Sequence, residues 1–107
     1  MAKFLIRASY TAEGLKGLQA QGGVQRAEVA RAMVENSGGQ MVAVYFAFDQ
    51  PDAYLFVDLP DFMTVASIAV AIRAAGGTTD VRITPVLTAE EVDQLARLPV
   101  VYQPPGH

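Results

Sequence analysis

The sequence predicts an α+β domain of the ferredoxin-like type, β-α-β-β-α-β with one further C-terminal helix, built on an antiparallel sheet with helices on one face only. Three observations predict it. Apolar side chains alternate with a period of two in several short segments. Capped, glycine-stopped helical segments separate the first strand from the second and the third from the fourth. The two middle strands are joined by a turn too short for a crossover, which completes the split-βαβ order with sheet order 4-1-3-2.

Residues 3–10 carry Phe4, Ile6, Ala8 and Tyr10 on one parity and Lys3, Leu5, Arg7 and Ser9 on the other, a strand with one apolar face. Thr11 then offers a hydroxyl N-cap with Glu13 in the first turn. Gly14 and Gly17 weaken the helix that follows, since an internal glycine costs about 1 kcal/mol relative to alanine. A short helix is expected, broken near Gly22-Gly23. Residues 24–36 resume with Val29, Met33 and Val34 at helical spacing, and Ser37-Gly38-Gly39 supplies the stop.

Residues 40–48 are nearly all apolar, so as a strand they are expected to be buried on both faces. Asp49-Gln50-Pro51-Asp52 is a turn by composition. Residues 53–59 form the returning strand of a hairpin, and Asp61 caps a small, greasy helix running to about Ala75, where Gly76-Gly77 ends it. Residues 79–87 are the fourth strand, with Val81 and Ile83 opposite Arg82 and Thr84. Thr88-Ala89-Glu90-Glu91 matches a capping box and opens a last helix to about Leu98. The expected organisation is one domain over 1–98 and a proline-rich tail over 99–107.

Composition narrows the function classes. The chain has 107 residues, enough for one modest core, with 18% charged residues and a net charge of −3. Its eight basic residues are scattered among eleven acidic ones, which argues against a nucleic-acid groove. There is no cysteine, so disulfides, thiolate nucleophiles and cysteine metal sites are excluded. The one histidine, His107, follows Pro104-Pro105-Gly106 at the terminus, a poor place for a catalytic base. No segment reads as a signal sequence or as a membrane span of about 20 apolar residues, so the cytoplasm is the expected location and no membrane partner is expected.

The helix-covered face is expected to hold Phe4, Ile6 and Ala8, Leu55 and Val57, and Val81 and Ile83. The opposite face then carries Leu5, Arg7 and Ser9, Tyr54, Phe56 and Asp58, Arg82, Thr84 and Val86, with one apolar parity of the second strand. That face is too apolar to be left in water, and the simplest cover is a second copy of the chain under a two-fold axis. Two such sheets face to face would enclose a barrel-like space.

Strand one running into Arg7-Ala-Ser-Tyr-Thr-Ala-Glu-Gly-Leu-Lys16, the Gly38-Gly39 stop, the hairpin Tyr45-Phe-Ala-Phe-Asp-Gln-Pro-Asp52 and Leu59-Pro-Asp61 together resemble the GYD domain family over residues 3–92. The family takes its name from a Gly-x-Tyr-Asp signature at the hairpin turn. Here Asp49 and Pro51 stand where the family has Gly and Tyr, and Asp52 alone is retained. The resemblance implies a dimeric α/β barrel, a small bacterial protein, no established activity, and Asp52 as the position through which a ligand contact at that turn would be inherited.

The polar residues of the free face are the candidate site. Arg7 and Arg82 lie on neighbouring strands and are candidates for one anion such as a carboxylate, or for pairing with Asp58 or with acids of a partner chain. Asp58 is the candidate acid-base group if burial in the inter-sheet space raises its pKa, and otherwise an ion-pair partner of Lys3 or Arg7. Tyr10, Tyr45 and Tyr54 offer phenolic hydroxyls, or simple packing; Tyr54 joins Arg7, Asp58 and Arg82 as a ligand-binding candidate. The three Gly-Gly pairs lack the spacing of a phosphate loop. Glu90, Glu91 and Asp93 read as first-turn acids favoured by the helix dipole, and neither a metal nor a cofactor is expected. Three readings stay open: a homodimer holding a small apolar or anionic molecule, a cofactor-free monooxygenase- or isomerase-like enzyme using Asp58 or a tyrosine, and a structural protein with its inter-sheet space filled.

Overall fold

A computed structural model describes residues 1–106, in the order β1 (Ala2–Tyr10), α1 (Ala12–Gln21), α2 (Gly23–Asn36), β2 (Gln40–Phe46), β3 (Ala53–Leu59), α3 (Phe62–Ala74), β4 (Thr78–Val86) and α4 (Ala89–Ala96). His107 lies outside the described residues. The strands make one four-stranded antiparallel sheet in the order β2-β3-β1-β4, the ferredoxin-like arrangement expected. Among the described residues no helix is long and apolar enough to cross a membrane.

The helix starts follow their caps. The Thr11 hydroxyl accepts from Gly14 N–H at 3.0 Å, and the Asp61 carboxylate accepts from Thr64 N–H at 2.8 Å. Thr88 and Glu91 close a reciprocal capping box at the head of α4. The elbow between α1 and α2 is Gly22, whose φ of 87° is the left-handed region that favours glycine. Gly39 has a different reason to be small: a Cβ there would collide with the Asp58 carbonyl as the chain enters β2.

The core lies between the sheet and α2 and α3. Phe4 and Ile6 of β1, Leu55, Val57 and Leu59 of β3, Val34 of α2, and Val65 and Ile68 of α3 are its buried centre, with Val81 and Ile83 of β4 packed at its margin. The parity of β1 and β3 is thus the one expected. α1 buries no residue.

Two expectations need correction. Residues 40–48 do not form a strand buried on both faces: β2 is an edge strand ending at Phe46, Met41 is its one buried side chain, and Val42 and Tyr45 are 59% and 63% exposed. Its register against β3 shifts between Met41 and Ala43, a bulge that no alternation of an all-apolar run could signal. The last helix is also shorter than expected, ending at Ala96. Val92, Leu95 and Leu98 sit at helical spacing on it and just beyond, and all three are exposed. With the residues that follow to Gly106, which form no further helix or strand, it makes a C-terminal arm, and the molecule measures 57 × 31 × 23 Å along its principal axes.

Candidate functional site

The strand register lays the free face out in rows. Tyr45 of β2, Tyr54 of β3, Arg7 of β1 and Arg82 of β4 are successive cross-strand partners and form one row across the whole sheet. The next row is Ala43, Phe56, Leu5 and Thr84, and the third is Gln40, Asp58, Lys3 and Val86. Of the four candidate site residues, Arg7, Tyr54 and Arg82 therefore come together. Asp58 does not join them. It lies four residues along β3 from Tyr54, about 13 Å at the strand rise, with the apolar Phe56–Leu5 row between.

Local pairing then divides the two rows. Lys3 Nζ donates to Asp58 Oδ1 at 2.9 Å, so the Asp58 carboxylate is met by an ammonium within its own row. In the arginine row, two guanidinium groups stand on directly opposed residues, an arrangement that is destabilising unless something offsets it. Two groups do. Arg82 Nε donates to Asp80 Oδ2 at 2.8 Å, and one Nη of Arg7 donates to Thr84 Oγ1 at 2.9 Å. One carboxylate between two guanidiniums leaves one unit of positive charge in excess. Arg7 Nε is buried and has no hydrogen-bond partner. A depression of about 320 Å³ opens here, lined by Arg7, Ser9, Gln50, Thr79, Asp80 and Arg82. A smaller hollow of about 100 Å³, lined by Val42, Phe56 and Val86 with Lys3 and Asp58, lies at the other end of the face.

Asp80 escaped the sequence reading, although its parity with Arg82 two residues later places it on the same face of β4. Asp52, the position the family resemblance marked for a ligand, is committed to the backbone. Its Oδ2 accepts Tyr10 N–H at 2.7 Å, its own N–H donates to the Ala8 carbonyl at 2.9 Å, and its carbonyl accepts Ala47 N–H at 2.8 Å. These bonds sew the hairpin turn to the end of β1 where the β1–β4 register shifts between Ser9 and Tyr10. Of the other tyrosines, Tyr10 lines a cleft on the helix side and Tyr45 stands exposed at the edge of the arginine row. Glu91 is held in its capping box, where hydrogen bonds from Thr88, its backbone N–H first, keep the carboxyl below its ordinary value of 4.5. The Lys3 ammonium adds a smaller pull in the same direction, and Lys3 pairs across the sheet with Val86, two residues before the Thr88 cap of α4.

The fold, the capped helices and the one-sided sheet define a two-layer α+β domain of the ferredoxin-like class. The sequence model of the GYD domain family matches residues 4–96, and the chain belongs to that family. None of the curated proteins matches the chain at a significant level.

Proposed function

We propose that the protein is a homodimer whose two free sheet faces meet and hold a small, mostly apolar molecule carrying one negative charge, with Arg7 and Arg82 as the anion partners and Tyr54 beside them. The observation that carries this reading is the opposed pair Arg7 and Arg82, charged in excess of its one carboxylate and with Arg7 Nε unpartnered. An unpaired donor on a charged group costs about 1–3 kcal/mol. Folding alone does not select such a group, whereas a carboxylate bound along the guanidinium edge, with the side chain turned outward, satisfies two donors at once. The depression of about 320 Å³ over this pair is at the small end of ligand-sized pockets.

The dimer reading rests on exposed apolar groups of the edge strand, Tyr45 in the arginine row and Val42 toward the lysine row, and on the arm. Four strands at about 4.8 Å spacing and seven residues at about 3.3 Å rise give the sheet a plan area of about 450 Å². A standard interface takes about 800 Å² from each partner. The exposed Val92, Leu95 and Leu98 of the arm, which begins two residues after Val86 of the lysine row, supply apolar surface toward the difference.

2-Naphthoate, a flat apolar monoanion, is a suitable probe in calorimetric titration. Arg7→Gln and Arg82→Gln are each expected to weaken it about tenfold or more, while Asp58→Asn leaves it unchanged. Equal affinity for all four proteins would end the anion assignment. A pronounced loss in Asp58→Asn alone would move the chemistry to the lysine row and favour the acid-base reading.

A further inference from the structure

A second cavity lies on the helix side, away from the arginine row. The elbow at Gly22 carries α1 off the sheet, and α1 packs no buried residue beneath it. Gly14 allows the strand end at Gly77 to pass against the helix, since a Cβ at that position would strike the Gly77 carbonyl, which also accepts Thr11 N–H at 3.0 Å. Beneath this arch is an open chamber of about 340 Å³ lined by Gly14, Gly17, Ala20, Gln21 and Gly77, with Tyr10 and Arg26 on its wall. Tyr10 and Arg26 also line a narrower chamber of about 110 Å³ that continues under α2, walled by Ala30, Met33, Phe46, Leu55 and Ile72. The two chambers therefore adjoin along Tyr10 and Arg26, with Arg26 at the waist between them.

The chemistry changes along the cleft. Apart from Tyr10 and Arg26, which it shares with the outer chamber, and Thr78, the inner chamber is lined by apolar side chains. No acidic side chain lines either chamber. Arg26 donates only a long 3.5 Å bond to Gln21 Oε1 and takes part in none of the ion pairs found among the described residues. A half-buried guanidinium at the mouth of an apolar pocket, with no acid beside it, matches a carboxylate whose alkyl tail runs inward.

From this geometry we infer that the cleft between α1, α2 and the Tyr10–Thr78 end of the sheet is a binding site for a short aliphatic carboxylate, with the head group on Arg26 and the tail in the inner chamber. Its size sets the chain length. A cavity of about 150 Å³ holds benzene, so 110 Å³ admits about four carbons. With the carboxyl carbon and one methylene at the waist, the best fit is about six carbons.

The test is a titration series of acetate, butyrate, hexanoate and octanoate, with 1-hexanol as the uncharged control, followed by amide chemical shifts up to about 20 mM, the range in which so small a ligand binds. Affinity is expected to rise to hexanoate and level off at octanoate, with shifts at Tyr10, Arg26, Ala30, Met33 and Thr78. Arg26→Gln should weaken hexanoate about tenfold, the loss of one charge-assisted contact, and 1-hexanol should bind no better than hexanoate binds that variant. Ala30→Met, which fills the inner chamber, should remove the dependence on chain length. Arg7→Gln should leave hexanoate binding intact, which separates this cleft from the site on the free face. Shifts confined to the arginine row, affinity independent of Arg26, or no saturable shift for any acid would overturn the assignment.

Discussion

Replacing Asp52 by alanine tests why the residue that closes the hairpin turn is an aspartate. The substitution removes the carboxylate that accepts Tyr10 N–H at 2.7 Å and leaves the two backbone bonds of residue 52 in place. Tyr10 sits at the register shift, where the regular ladder is interrupted, so its amide is left without that partner. A hydrogen bond to a charged acceptor contributes about 1.5–3 kcal/mol, and about 2 kcal/mol is expected here. Unfolding entropy is about 2.1 cal/mol/K per residue, which for a chain of this length converts 2 kcal/mol into a fall in Tm of about 9 °C. Asp52→Asn keeps an acceptor oxygen without its charge and should lose about half as much. Calorimetry gives the Tm, and hydrogen exchange at the Tyr10 amide reports the bond itself. A fall of less than about 2 °C for Asp52→Ala, with the Tyr10 amide still protected, would refute the latch.

Other expectations follow from the same contacts. Arg7→Leu removes an unpartnered buried donor and one of two opposed like charges, so the Tm should hold or rise slightly while 2-naphthoate binding is lost; a fall of several degrees would show that Arg7 serves the fold. Gly14→Ala should destabilise the protein by more than about 2 kcal/mol in chemical denaturation, because the new methyl meets the Gly77 carbonyl rather than a movable side chain. Glu91 and Asp61 both have carboxyls lowered in the folded chain by hydrogen bonds, from Thr88 and Thr64 respectively. Their contribution is thus present above the ordinary values of 4.5 and 3.8 and disappears as pH falls through the lowered ones, so the first turns of α4 and α3 should fray together in acid, read by amide exchange. Truncation after Leu87 removes Val92, Leu95 and Leu98 and should shift dimer to monomer at micromolar concentration; an unchanged molar mass would exclude the arm from the interface.

Much of this molecule could be read before its fold was seen, because several of its determinants are local. The caps at Thr11, Asp61 and Thr88 each bring an oxygen to a backbone N–H three residues away, a pattern written in the chain. The alternation in β1 and β3 assigned faces correctly because both strands are central and one of their sides must meet the helices. β2 was misjudged for a related reason: an edge strand with a bulge can be apolar throughout without being buried on both sides. Site composition was legible only as parity. Arg7, Tyr54 and Arg82 share a face in the sequence and a row in the sheet, but the row depends on register, which is set across the strands and not along them. The same register carries Asp58 away to Lys3 and turns Asp52 into a backbone latch. The helix-side cleft had no sequence signal, since it comes from how far α1 stands off the sheet.

The central claim is that the free face is completed by a second copy and an anionic guest. Native mass spectrometry of protein taken directly from cells tests both parts together. The account predicts a species of twice the chain mass of 11.4 kDa, carrying additional small-molecule mass that is released in acid and absent from Arg7→Gln. A monomer at micromolar concentration, or a dimer of bare chain mass that neither takes up 2-naphthoate nor responds to Arg7→Gln, would contradict it.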